Sequence, residues 1–131
     1  MSERDWSSEL TNPEAVRGVL GSPPPPLTDY HLDSVLIDER EASVTLRFSA
    51  FAVPVGAAEL WQARGHNAHE FVLVCVGVRN FEVDAWSGWP TTLARLSGGT
   101  VVLAGREKRV SFEADEIRAE SPVGRLWGRT P

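Results

Sequence analysis

The chain has 131 residues, 42% hydrophobic and 24% charged, values of an ordinary globular domain that fit neither wholesale disorder nor a membrane protein. Its net charge of -5 argues against a nucleic-acid binder, which needs clustered Lys and Arg for the phosphate backbone, and favours a positively charged partner. No apolar run approaches the ~18 residues of a membrane span, and the opening MSERDWSSEL lacks the basic and apolar regions of a secretory signal, so a cytoplasmic location is expected.

In chain order, NPEAVRGVLGSPPPP predicts a short helix. Asn12 is placed to cap it, Pro13 takes the first helical position and Glu14 sits in the first turn. Val16, Val19 and Leu20 then share a face, Gly21 supplies the stop, and the run Pro23 to Pro26 is a stiff connector.

From His31 the period changes to two. Val44, Leu46 and Phe48 alternate with Thr45, Arg47 and Ser49, a strand with one buried face, and Val35 to Ile37 is its hairpin partner across DERE. FAVPVGAAELWQARGHNAHE reads as a loop with a helical turn. FVLVCVGV is apolar on both faces, which predicts a central strand covered on both sides. NFEVDAW follows with Phe81, Val83 and Ala85 on one face and Glu82, Asp84 and Trp86 on the other. Further strands are expected at TVVLAG, KRVSFEA and around Ile117, and SPVGRLWGRTP reads as a tail held by Leu126 and Trp127.

These elements predict a single α+β domain over residues 1–131, an antiparallel β-sheet meander with a short N-terminal helix. Residues 1–10 and 121–131 are expected as loosely packed tails. Leu46, Phe48, Phe71, Leu73, Cys75, Phe81 and Val83 are the expected core.

Catalytic signatures are absent from the sequence: no G-x-S-x-G elbow, no phosphate-binding P-loop and no dinucleotide fingerprint occur. Cys75, the sole cysteine, excludes an internal disulfide, and between Val74 and Val76 it reads as a small core hydrophobe, not a nucleophile. His66 and His69 lack the further ligands a metal would need, and no cofactor is expected. Carboxylates such as Asp38, Glu39 and Glu41 read as a solvated edge.

Taken together, Trp6, the segment NPEAVRGVLGSPPPPLTDYHLDSVLID, the strand SVTLRF, Trp61 and FVLVCVGVRNFEVDAWSGW resemble the immunity protein 50 family of bacterial polymorphic-toxin systems. The residues that carry the resemblance are Pro26, Leu27, Asp29, Leu32, Gly88 and Trp89. It implies a cytoplasmic inhibitor that binds a cognate toxin domain without catalysis, a basic nuclease being one candidate toxin. The proline run and Arg118, Arg125 and Arg129 do not map onto the family pattern. Trp89, part of the resemblance, is expected in the core. Glu82, Asp84 and Trp86 are the candidate toxin contacts, because alternation groups two charges and an aromatic anchor on the less apolar face. The alternative reading is a small-molecule-binding β domain or an enzyme of unknown substrate.

Overall fold

Alternating apolar residues need a second layer to bury against, and here that layer is another sheet. The computed structural model describes residues 5–52 and 63–126; Trp61, Trp127 and Arg129 lie outside the described residues. The strands are β1 (His31–Asp38), β2 (Ser43–Ala50), β3 (Ala68–Val76), β4 (Arg79–Val83), β5 (Thr91–Ser97), β6 (Thr100–Gly105), β7 (Lys108–Glu113) and β8 (Glu116–Arg125). They form two antiparallel four-stranded sheets, ordered β1-β2-β3-β8 and β4-β7-β6-β5. A helix, α1 (Glu14–Leu20), and the 3-10 turns Trp6–Glu9 and Leu27–Asp29 complete the chain. The structure is mostly antiparallel β with one short helix.

The inward residues of both sheets join one core. Val44, Leu46, Phe48, Phe71, Leu73, Cys75, Ile117 and Ala119 come from the first sheet, and Val101, Leu103, Val110 and Phe112 from the second. The expected meander is corrected by the connections. After β3 the chain does not pair back but turns at Gly77, whose positive φ of 67° and close contact with the Asp115 side chain leave no room for a Cβ. It then enters the second sheet as β4, and β8 returns beside β3. The two crossings lie together, joined by Asp115 N–H to Val76 O at 2.9 Å and by Arg79 Nη1 to Asp115 Oδ1 at 2.6 Å.

Phe71 organises one end of the core. Trp6 stacks on it at 5.3 Å, Phe48 stacks on its other side at 5.3 Å, and Tyr30 meets it edge-on at 4.9 Å. The Trp6 indole N–H donates to Pro25 O at 2.8 Å, which ties the proline connector to this cluster. His69 Nδ1 lies 2.6 Å from Ala52 O, which only accepts, so Nδ1 carries the proton and Nε2 accepts from the Tyr30 hydroxyl at 2.9 Å. Burial lowers the His69 pKa, against the smaller opposing pull of the Ala52 bond.

The N-terminal segment closes the β8/β5 side of the sandwich. Val16 and Leu20 of α1 are buried, and α1 packs on β8. With a helix of 7 residues, too short to persist alone, that packing is what holds it. Asn12 does not cap the helix with its side chain as expected. Its carboxamide straddles Ala119, donating to Ala119 O at 2.7 Å and accepting from Ala119 N at 2.9 Å, while Thr11 N–H donates to Ile117 O at 2.9 Å. A side chain and a backbone N–H thereby satisfy the outward polar groups of an edge strand.

Further expectations are corrected by the same architecture. Within the segments expected as tails, Trp6, Ser7 and Leu10 are buried and Ser121 to Arg125 continue β8, while Leu126 is exposed. Leu46, Phe48, Phe71, Leu73 and Cys75 are buried as expected, but Phe81 is only partly buried and Val83 is 49% exposed, because β4 is an edge strand. Val72, Val74 and Val76 on β3 are half-buried, since no second layer covers that outer face among the described residues.

Replacing Asn12 with Ala leaves the Ala119 amide and carbonyl without these partners. Asn12→Ala is expected to lower unfolding free energy by about 1–3 kcal/mol in a denaturant titration. For His69, the folded pKa is depressed below the ordinary 6.5, so the unfolded chain takes up the proton first as pH falls. Stability should therefore decline as pH drops below 6.5 until the folded pKa is passed, and His69→Gln should flatten that slope in pH-dependent melts.

Candidate functional site

The opposite side of the sandwich, where β1 lies beside β4, has no covering segment among the described residues. A groove of about 340 Å³ runs along it, lined by Asp33, Ser34, Val35 and Ile37 of β1 and by Phe81, Val83, Trp86 and Val110. Ile37 is 50% exposed and Trp86 48%, so this groove presents large apolar side chains to solvent.

Trp86 reaches the groove because the strand rhythm breaks after β4. Pairing with β7 continues through Asp84 N–H to Arg109 O at 2.8 Å and Arg109 N–H to Ala85 O at 3.1 Å. Ala85, however, has φ 75°, in the left-handed region. The reversal puts Trp86 with Phe81 and Val83, whereas Glu82 and Asp84 alternate onto the outer face of the second sheet. The structure thus separates the three candidate contacts: Trp86 lines the groove, and the two exposed carboxylates flank Val83 on the other side of the same strand.

The loop from Trp86 to Pro90 is pinned to the β6–β7 hairpin. Ser87 Oγ donates to Arg106 O at 2.6 Å, and Gly105 lets the Pro90 carbonyl approach to where a Cβ would stand. Lys108 is buried, and its Nζ donates to Trp89 O at 2.8 Å while lying 5.1 Å from the centroid of the Trp86 ring. Desolvation pulls the Lys108 pKa down. The Arg106 guanidinium lies 4.5 Å over the Trp89 ring. Trp89 is 47% exposed, which corrects its expected place in the core: a cation holds the ring, not apolar packing. Lys108 and Arg106 were not singled out in the sequence, although AGREK places two cations at a hairpin directly after TVVLAG.

The chemistry available elsewhere is limited. Cys75 is fully buried and its thiol is pushed up to about 12 by desolvation, so it stays protonated and unreactive near neutrality. Among the described residues there is no group of three or more His, Cys, Asp or Glu side chains placed to hold a metal. A second cleft, of about 600 Å³, lies between the proline run and β5 and is lined in part by Asp5, Trp6, Glu9 and Leu27. Its carboxylates are engaged internally, Asp5 by Ser7 N–H at 2.8 Å and Glu9 by Gly98 N–H at 2.8 Å.

Residues 12–122, from the Asn12 clamp to the buried Pro122 of β8, match the immunity protein 50 family. The chain belongs to that family. No curated protein and no solved structure matches it. The matched span of this immunity protein 50 member contains the whole groove and the tryptophan corner. Of the residues that carry the resemblance, Leu27 and Leu32 are buried in the core and Trp89 stands at the surface. No helix among the described residues is long and apolar enough to cross a membrane.

Lys108→Met removes both the bond to Trp89 O and the cation beside Trp86. It is expected to shift the indole N–H resonances of Trp86 and Trp89 in a nitrogen–proton correlation spectrum while leaving that of Trp6 in place. A stability loss of about 1–2 kcal/mol should accompany it. Unmoved Trp86 and Trp89 resonances would mean that the rings are held without Lys108.

Proposed function

We propose that this immunity protein 50 member binds a cognate bacterial toxin domain and neutralises it by direct, non-catalytic contact. The observation that carries the reading is the family match over residues 12–122. The half-exposed Trp86 in an apolar groove supports it, since tryptophan is enriched among residues that dominate protein–protein affinity. A net charge of -5 favours a basic toxin, a nuclease among the candidates. Glu82, Asp84 and Trp86 remain the proposed contacts. Because β4 is an edge strand, a partner that wraps its edge reaches both the groove side and the carboxylate side. The small-molecule alternative loses support from the larger cleft, whose acidic groups already serve structural hydrogen bonds.

The test is growth protection and calorimetric binding with candidate toxin domains drawn from the genes that flank this one. The expected result is rescue of toxin-expressing cells and a tight complex. Trp86→Ala should weaken that complex by about 2 kcal/mol, roughly 30-fold, chiefly through faster dissociation. Raising salt should mainly slow association. A correctly folded protein that neither binds nor protects against any of these toxin domains would end the immunity reading.

A further inference from the structure

A sandwich of two four-stranded sheets has four edge strands, and three of them here are managed. The β8 edge is occupied by Thr11 N–H at Ile117 and by the Asn12 carboxamide at Ala119. The β5 edge has the two 3-10 turns packed against it, with Glu9 Oε1 accepting from Gly98 N–H. β4 is five residues long, its register shifts between Arg79 and Glu82, and Asn80 stands at φ 57°. A short, bulged edge is a poor template for another strand.

β1 is the exception. It is eight residues long, and apart from a register shift between Leu32 and Ser34 it pairs regularly with β2 from Ser34 to Asp38. Its sequence HLDSVLID contains no proline or lysine to discourage pairing. Leu36 is 65% and Ile37 50% exposed, on opposite faces of the same free edge. A stretch this regular, with an exposed apolar side chain on each face and, among the described residues, no strand paired to its outer row of backbone N–H and C=O groups, is chemically matched to an extended chain, not to a helix or a rigid knob.

We propose that the free edge of β1, from Ser34 to Asp38, accepts an extended segment of the toxin as an added antiparallel or parallel strand, whose groove-side apolar side chains pack against Ile37, Val83 and Trp86. This deepens the immunity reading and rests on it. The acidic groups nearby define the occupant further. Asp33 lines the groove 3.8 Å from His31 Nε2, Asp38 ends the strand 3.8 Å from Arg40 Nε, and Glu82 of β4 and Asp84 just past its end stand exposed with no ion-pair partner among the described residues. The incoming strand should therefore carry Lys or Arg among its apolar positions. The same charges disfavour a second copy of this chain. Two copies paired along this edge, each with a net charge of -5, would bring Asp33 and Asp38 of both chains into one short ladder, where like charges oppose association.

The experiment is residue-resolved amide hydrogen exchange on the intact protein, alone and in the presence of the candidate toxin domain used in the protection test. In the free protein the amides of Ser34 to Asp38 that point away from β2 exchange fast. In the complex they are expected to slow by at least about 100-fold, in an every-second-residue pattern, as ladder hydrogen bonds form. Ile37→Lys should weaken the complex at least about 30-fold, whereas Val123→Lys, on β8 at the far edge of the same sheet, should leave affinity within about twofold. A complex that forms with the outward β1 amides still fast overturns this inference while leaving the immunity function standing. No complex at all overturns the immunity reading and this inference with it. Slowing of the same amides without toxin, together with a doubled and concentration-dependent mass, assigns the edge to a second copy and also overturns it.

Discussion

The Asn12 carboxamide bonded to both the N–H and C=O of Ala119 is the contact from which the asymmetry of the molecule follows. It fixes the chain entering α1 against the outer edge of β8, and from there the helix, the proline run and the turn at Leu27 are carried across toward β5. Trp6 stacks on Phe71 and hydrogen-bonds to Pro25, sealing the same region from above the aromatic cluster. One side of the sandwich is thus consumed by the protein's own N-terminal segment. The other side, between β1 and β4, receives no such cover among the described residues, and its apolar residues face solvent.

The exposed corner is held by specific contacts in spite of its exposure. A tryptophan at a surface usually loses rotamer freedom only when something binds it. Here Lys108 and Arg106 supply cations near the two rings, and Lys108 also holds the Trp89 carbonyl. The burial of Lys108 carries a desolvation cost that lowers its pKa, and the hydrogen bond and the neighbouring ring offset part of it. An anchor ordered before binding loses less entropy on association, which is the physical reason to weight Trp86 above the other exposed apolar residues.

Much of the fold was legible from residue pattern. Val44, Leu46 and Phe48 alternate cleanly, as do Phe71, Leu73 and Cys75, and each set is buried. The partition into two sheets was not legible, because alternation tells which face of a strand is apolar and not which strand lies beside it. β5 was overlooked for a local reason: TTLARLS has buried Thr91 and exposed Leu93, and its register shifts between those two residues. Trp86 was correctly separated from the core, but its grouping with Glu82 and Asp84 assumed that the strand ran on through Ala85, whose left-handed backbone ends the alternation. Trp89 was misplaced because cation contacts from a distant hairpin leave no periodic trace.

Membership of the immunity protein 50 family directs attention to a protein partner, and among the described residues the open β1/β4 side offers one an edge strand beside an exposed apolar groove. The most direct measurement is a structure of the complex with the toxin domain. The account predicts that a toxin segment lies along β1, with Ile37 and Trp86 buried beneath it. A complex seated on the α1 side, or on the outer valine face of β3, with Ile37 and Trp86 left in solvent, would contradict it.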